Sequence, residues 1–128
     1  MALKLSLKPG EKMIIGGAVV KNGDNKAELF IENQVPLLRE KDIMAEKDAH
    51  TAAQKIYFTI QLMYIDQENL ISHHNTYWNY VKEITQAAPS TVPQVDQISE
   101  KIVGYKYYQA LKLARKLIDY EKEIMSRV

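Results

Sequence analysis

The chain has 128 residues, a formal net charge of +1 at pH 7 and no cysteine. A chain of this length buries roughly two-thirds of the surface that its unfolded form exposes, which suffices for one domain or for a small module joined to a second one. The near-neutral charge provides no global attraction to nucleic acid or membranes, and the lack of cysteine excludes disulfides and thiolate metal sites. Because no apolar stretch is long enough for a signal peptide or a membrane span, we expect a cytoplasmic protein.

The N-terminal part carries the short patterns of β-strands. Residues 3–7 alternate leucine with polar side chains, which is the period of a strand with one buried face. Four further short runs follow, at 13–15, 18–21, 27–31 and 35–39, separated by segments rich in glycine, proline or asparagine. Asn22-Gly23-Asp24-Asn25 is the strongest hairpin signal and predicts that the strands on either side of it pair. We expect a compact antiparallel sheet or a small barrel.

The stretch LLREKDI at residues 37–43 marks a change of pattern, because strand periodicity ends there and helical periodicity begins soon after. Arg39 follows two leucines at the predicted end of the fifth strand, where it could contact a binding partner of the sheet. The structural alternative pairs Arg39 with Glu40, Asp42 or an acid of a helix. A β unit this small cannot protect its own strand edges, so we expect a homodimer joined through the N-terminal sheet.

From residue 45 the apolar residues recur at three- and four-residue spacing, which predicts helices. Thr51 and Gln54 fit a capping box at the start of the first helix, and breaks are expected at 66–69, at 88–93 and at Gly104. Ile60 and Trp78 are predicted to be core residues. The fold class is therefore α+β, with a small antiparallel β module at residues 1–44 followed by a helical bundle at residues 45–128.

The residue types of catalysis and metal binding are sparse. His73 and His74 are adjacent on a predicted helix and point about a hundred degrees apart, and His50 has no ligand four residues later. No nucleophile motif, phosphate loop or dinucleotide pattern occurs. We expect no catalytic residue, no metal and no cofactor, and hence no enzyme. The eight tyrosines all lie in the helical part, where their spacing is more typical of a core edge than of base stacking.

Three separated blocks resemble one family. LKLSLKPGEK at 3–12, LREKDIM at 38–44 and YYQALKLARKLI at 107–118 are similar to the flagellin-synthesis regulator family FlbT, in the same order and over essentially the whole chain. The resemblance implies a cytoplasmic post-transcriptional regulator of flagellin. Such a protein acts at the 5′ untranslated region of flagellin mRNA, typically as a repressor that promotes its decay.

A shorter resemblance covers residues 1–44. Gly10-Glu11, Ile14-Ile15-Gly16 and Arg39-Glu40 with Ile43 are similar to the carbon storage regulator CsrA, a small β-protein whose dimer interlocks its first and last strands to form two RNA-binding edges. The resemblance implies an RNA-binding surface made by Lys4, Leu5, Ser6, Lys8 and Arg39. It departs from the family at Leu7 and Lys8, which stand where that family has paired arginines, and in a shorter middle of the sheet.

Two hypotheses about function follow. The first is a regulator that binds the 5′ leader of flagellin mRNA through the edge of the sheet. The second is an adaptor whose helical bundle binds flagellin, a flagellin chaperone or another flagellar regulator, since the run at 107–118 also resembles helices of flagellin-export chaperones. Salt-dependent binding to a flagellin leader favours the first hypothesis. Nuclease-resistant, stoichiometric co-purification with a flagellar protein favours the second.

Overall fold

The computed structural model describes residues 3–127 and contains two compact units. The strand unit ends at Ile43 and the helical unit begins at Met44. Antiparallel strands in the first unit and α-helices in the second confirm the predicted α+β class. The strands are β1 Leu3–Leu7, β2 Lys12–Ile15, β3 Ala18–Lys21, β4 Ala27–Ile31 and β5 Leu37–Arg39.

The five strands form two antiparallel sheets. β1 pairs with β4 in one sheet, and the other sheet has the order β3-β2-β5. Leu5 lies opposite Leu29 in the first sheet, and Met13 lies opposite both Val20 and Arg39 in the second. The apolar side chains buried in this unit are Leu7, Met13, Ile14 and Leu38.

The hairpin predicted at Asn22–Asn25 is wrong. The strand before it, β3, pairs with β2, whereas the strand after it, β4, crosses to β1. The Asn22 carboxamide explains the difference, because its Nδ2 donates hydrogen bonds to the carbonyls of Leu7 at 3.2 Å, Lys8 at 2.9 Å and Asn25 at 2.9 Å. This side chain fastens the connection to the end of β1, where β4 then begins its pairing.

Gly16 is required by the turn between β2 and β3. Its φ is +57°, in the left-handed region that residues with a Cβ avoid. A Cβ at this position would also lie only 2.8 Å from Cγ2 of Val35. The Gly16-Gly17 pair therefore makes a tight turn against the chain that leads into β5.

The helices are α1 Ala52–Ile65, α2 Leu70–Ala87, α3 Val92–Val103 and α4 Tyr107–Ser126. They are separated where the sequence predicted breaks. α1 packs against α2 and α4, and α3 packs against α4. The predicted capping box is confirmed, because Thr51 Oγ1 accepts from Gln54 N at 3.2 Å while Gln54 Oε1 accepts from Thr51 N at 3.0 Å.

Buried polar side chains join the segments of the helical unit. Glu121 on α4 is only 8% exposed, and its Oε2 accepts a hydrogen bond from Ala53 N at 3.0 Å. Its carboxylate thus lies at the positive end of the α1 dipole. Gln61 on α1 holds the start of the unit through both backbone groups of Met44, at 2.8 Å and 2.9 Å.

The predicted core position of Trp78 is wrong, whereas that of Ile60 is confirmed. Ile60 has 0% exposure, but Trp78 is 45% exposed. α2 turns Tyr77 and Ile84 inward, and these residues are seven positions apart on one narrow face. Trp78 packs on the outer side, with its ring centroid 5.1 Å from that of Tyr77.

Candidate nucleic-acid interface

Arg39 connects the two sheets of the strand unit. It is the last residue of β5, and its Nη2 donates to the backbone carbonyl of Ser6 in β1 at 2.9 Å. The same nitrogen lies 3.0 Å from Oε2 of Glu11, with the Arg39 side chain 36% exposed. Arg39 therefore lies beside β1 and forms an ion pair with Glu11, an acid that the structural alternative had not named.

Glu11 is held on both sides of its carboxylate. Oε1 accepts from Lys8 N at 2.9 Å, while Oε2 accepts from Arg39. The backbone N–H of Lys8, followed by the Arg39 guanidinium, lowers the pKa of the Glu11 carboxyl. The carboxylate is thus negatively charged at neutral pH, and its side chain is only 14% exposed.

A groove with cationic walls opens around this ion pair and is called the basic groove below. Its volume is about 670 Å³, and it is lined by Ser6, Leu7, Lys8, Glu11, Lys26, Arg39, Glu40 and Lys41. Four of these side chains are basic and two are acidic. The lining of the groove is therefore net positive although the whole chain is nearly neutral.

The basic groove contains only some of the site residues predicted from the sequence. Ser6, Lys8 and Arg39 line it. Lys4 instead lies 3.5 Å from Oε1 of Glu28 on β4, and its side chain is 58% exposed. Leu5 is half-buried in the β1–β4 sheet. The predicted surface on β1 is therefore divided between the groove and the neighbouring sheet.

Five groove residues were not among the predicted site residues, namely Leu7, Glu11, Lys26, Glu40 and Lys41. Lys26 reaches the groove because it precedes Ala27, which lies opposite Leu7 at the end of β1. Lys41 follows β5 in a short 3-10 helix, and Glu11 closes the turn after β1. The pairing of β4 with β1 brings Lys26 to this position, and the sequence pattern had predicted a different pairing.

The histidines make local contacts. His73 Nε2 lies 2.9 Å from Oδ2 of Asp66, whose pKa is lowered by the Asn69 amide and then by His73. His74 Nε2 lies 3.4 Å from the Tyr107 hydroxyl. Within residues 3–127, no group of three or more acidic or histidine side chains is arranged to hold a metal ion. No helix in the same range combines the length and apolar character that crossing a membrane requires.

A second exposed surface lies on the helical unit. Ring centroids are 6.2 Å apart for Tyr64 and Tyr108, 6.5 Å for Tyr105 and Tyr107, and 6.4 Å for His74 and Tyr107. These five residues lie together where α1 ends and where α2 and α4 begin, and we call them the tyrosine end. Large apolar side chains near it in the sequence are exposed, with values of 81% for Ile71, 71% for Val103 and 75% for Tyr105. Residues 101–118 carry five basic and no acidic side chains.

Comparison with known proteins identifies the family. The family described as "Flagellar protein FlbT" matches residues 3–125. A Bradyrhizobium diazoefficiens protein named "Probable flagellum biosynthesis repressor protein FlbT 1" is 44% identical, over 97% of this chain and 85% of its own. The Caulobacter vibrioides "Flagellum biosynthesis repressor protein FlbT" is 41% identical, over 100% of this chain and 92% of its own. No solved structure matches the chain. The chain belongs to the FlbT family of flagellar proteins.

Proposed function

We propose that this protein is a cytoplasmic repressor of flagellin synthesis that binds the 5′ untranslated region of flagellin mRNA and affects its translation and decay. The names of the relatives support the repressor role. The observation that carries the RNA-binding role is the basic groove, in which Lys8, Lys26, Arg39 and Lys41 lie beside the exposed polar face of β1. No catalysis is needed for this role, because bound protein can block or expose a leader by occupancy alone.

Arg39 suits this role chemically. A guanidinium has five N–H donors and a flat face, so it can hold a phosphate or stack on an unpaired base. Its contacts to Ser6 and Glu11 use one nitrogen, Nη2. Arg39 can therefore contact RNA while it still connects β5 to β1. Lys4, Leu5, Ser6 and Lys8 extend the proposed contact surface along the first strand.

We also propose that the working form is a homodimer joined through the strand unit. In the two sheets of the described residues, β1, β3 and β4 each pair with a neighbouring strand along one side. Edge strands offer unpaired backbone groups to another chain. Light scattering at micromolar concentration should return the mass of a dimer, and a clean monomer would remove this part of the proposal.

The central test measures the affinity of the purified protein for the flagellin leader RNA of its own organism. We expect salt-dependent binding that Arg39→Ala weakens by about 1–3 kcal/mol, the scale of one good contact. Lys4→Ala and Lys8→Ala should act more weakly and lower the salt dependence. Lys21→Ala is the matched control, because Lys21 is an exposed lysine of the same unit that does not line the groove.

The melting temperature of Arg39→Ala separates its two roles. If this variant is folded and binds the leader as tightly as the unaltered protein, Arg39 has only the structural role of joining the sheets. If the unaltered protein shows no salt-dependent binding to the leader, the RNA-binding function itself is wrong.

The tyrosine end favours a second candidate function, that of an adaptor for a flagellar protein. Tyrosine is enriched in protein interfaces, and exposed apolar side chains clustered together often mark them. Tyr105 and Tyr108 are 75% and 40% exposed, and the basic segment at 101–118 suits an acidic partner. Flagellin or a flagellin chaperone is the partner we propose for this role.

Mixing purified flagellin with the nuclease-treated protein tests the adaptor role. A stoichiometric complex on size exclusion that Tyr105→Ala and Tyr108→Ala disrupt would support it. Tyr120→Ala is the control, because Tyr120 lies elsewhere on α4 and its hydroxyl bonds to Ser90. A complex that resists both tyrosine substitutions would exclude the tyrosine end as its interface.

A further inference from the structure

We propose that Glu11 is a built-in competitor of RNA in the basic groove, and that Lys8, Lys26 and Lys41 supply the phosphate contacts there. This inference rests on the proposed RNA-binding function and divides the groove into two parts. At one side Glu11 weakens the contact of Arg39 with RNA, and at the other three lysines from different segments add attraction.

The position of Glu11 is fixed by its surroundings. Its backbone N–H donates to Lys8 O at 3.0 Å, while its Oε1 accepts from Lys8 N at 2.9 Å. Both bonds close the turn after β1, and Arg39 holds the other carboxylate oxygen. The carboxylate therefore cannot leave the groove without breaking the turn or the ion pair.

This fixed negative charge opposes RNA directly. A phosphate that approaches the Arg39 guanidinium also approaches the Glu11 carboxylate, because their nearest atoms are only 3.0 Å apart. Like charges at such range repel, and the side-chain exposure of 14% limits how far water screens Glu11. Glu11 also neutralises much of the positive charge of Arg39. The groove thus attracts a phosphate chain less strongly than its four cations alone would.

Further attraction comes from the three lysines. Lys8 follows β1, Lys26 precedes β4 and Lys41 follows β5, and all three are exposed. Glu40, the other acid of the groove, has its Oε1 3.3 Å from Lys12 N. Three ammonium groups on separate segments can contact successive phosphates of one strand, which is how proteins track an RNA backbone.

A purely structural role for Glu11 predicts a different result for Glu11→Gln. If Glu11 only closes the turn and anchors Arg39, its replacement lowers stability and leaves the RNA affinity of the folded protein unchanged or weaker. If Glu11 competes with RNA, the same replacement tightens binding. Because the affinity is measured on folded protein and compared with the control Glu32→Gln, the direction of the change decides between the two roles.

The experiment measures fluorescence anisotropy of the labelled flagellin leader over a range of salt concentrations, for folded protein checked by circular dichroism. We expect Glu11→Gln to bind about two- to fivefold more tightly, the scale of one weak charge–charge interaction. Lys26→Ala and Lys41→Ala should each bind about two- to fivefold more weakly and reduce the salt slope by about one. Glu32→Gln and Lys21→Ala make the same charge changes outside the groove and serve as controls.

Each outcome supports or overturns the inference. If the unaltered protein binds the leader, and the three groove variants change the affinity no more than their controls do, the inference is wrong. The proposed function is then left intact. Weaker binding by both lysine variants without tighter binding by Glu11→Gln would remove the competitor role. An unaltered protein that does not bind the leader would overturn the proposed function and this inference together.

Discussion

The two units of the chain are stabilised in different ways. Among residues 3–127, the strand unit buries four apolar side chains, whereas the helical unit buries sixteen. The strand unit depends instead on polar side chains that bridge its segments, mainly Asn22, Glu11 and Arg39. A unit with so small a core can present a charged groove, because few of its positions are committed to packing. A unit with a large core is better suited to hold helices in register.

The largest expected effect lies in the core of the helical unit. Ile60→Ala should lower the free energy of unfolding by about 2–5 kcal/mol, because it leaves a cavity at a fully buried position. Urea denaturation followed by circular dichroism measures the change. Ile71→Ala is the matched control on α2 and should stay within about 0.5 kcal/mol, since Ile71 is 81% exposed. Equal losses in both variants would mean that the core is not where the structure places it.

In the strand unit the corresponding weak point is a polar side chain. Asn22→Ala removes three hydrogen bonds to backbone carbonyls and should destabilise this unit by about 1–3 kcal/mol. Hydrogen exchange should show faster exchange in β1 and β4 while α1 keeps its protection. Asn33→Ala, at an exposed position after β4, is the control. A matching loss of protection in α1 would show that the two units unfold together, which would break the comparison.

The sequence allowed the fold class to be predicted because both units have a clear period. Alternation and short apolar runs between turn residues located the five strands, and breaks at 66–69, 88–93 and Gly104 located the helix ends. Strand pairing was not predictable from the same signals. Asn22 and Gly23 look like a hairpin turn locally, but the Asn22 carboxamide bonds to Leu7 and Lys8, which are distant in sequence.

The candidate site was predictable only in part, and for the same reason. Ser6, Lys8 and Arg39 followed from a family resemblance and lie in one groove. The position of Lys26 in the groove depends on the pairing of β1 with β4, and that of Glu11 depends on the turn after β1. No local sequence pattern therefore identified them as site residues. Which face of α2 turns inward is also set by packing between helices rather than by the sequence of α2 alone.

Alkaline pH should affect the helical unit through Tyr77. Burial raises the pKa of Tyr77 to about 12, and the Ser99 hydroxyl lies 2.7 Å from its oxygen. The folded state favours the neutral phenol over the phenolate. The contribution of this preference to stability is fully present below the ordinary pKa of 10.0 and is lost as the pH rises through about 12. Tyr77→Phe should cost about 0.5–1.5 kcal/mol at neutral pH and show a flatter decline above pH 10.0.

The control for this prediction is Tyr120→Phe, which removes the surface hydroxyl that bonds to Ser90 at 2.7 Å. Its stability should decline at alkaline pH as steeply as that of the unaltered protein. If Tyr77→Phe declines just as steeply, groups other than Tyr77 govern alkaline unfolding of this unit.

Acid should affect the strand unit through Glu11. The backbone N–H of Lys8 and then Arg39 lower the pKa of this carboxyl below 4.5. Its stabilising contribution is therefore present above pH 4.5 and is lost as the pH falls through the lowered value. Glu11→Gln should make the stability of the strand unit less sensitive to pH in that range. Hydrogen exchange in β1 at acid pH measures the change, and an unaltered acid sensitivity would contradict it.

The smallest expected effect is a gain of stability at Tyr105. α3 ends with bonds from Tyr105 N to Ile102 O at 3.0 Å and from Lys106 N to Lys101 O at 2.9 Å, a pattern that places a left-handed residue at position 105. Glycine usually occupies that position, but here Tyr105 does, with φ +59°. Tyr105→Gly should relieve this strain and raise the free energy of unfolding by about 0.5 kcal/mol, since the extra freedom of unfolded glycine offsets part of the gain.

Gly104 provides the control for this change. Its φ is −85°, and a Cβ there would lie 3.6 Å and 3.7 Å from the carbonyls of Glu100 and Lys101, which are ordinary contacts. Gly104→Ala should therefore be tolerated without strain. If the exposed Tyr105 ring contacts a flagellar partner, Tyr105→Gly will stabilise the free protein while it weakens the complex, a combination that a packing role does not produce. A loss of stability would instead show that the contact of Tyr105 with Tyr107 outweighs the strain, and Tyr105 would then be a structural residue of the helical unit.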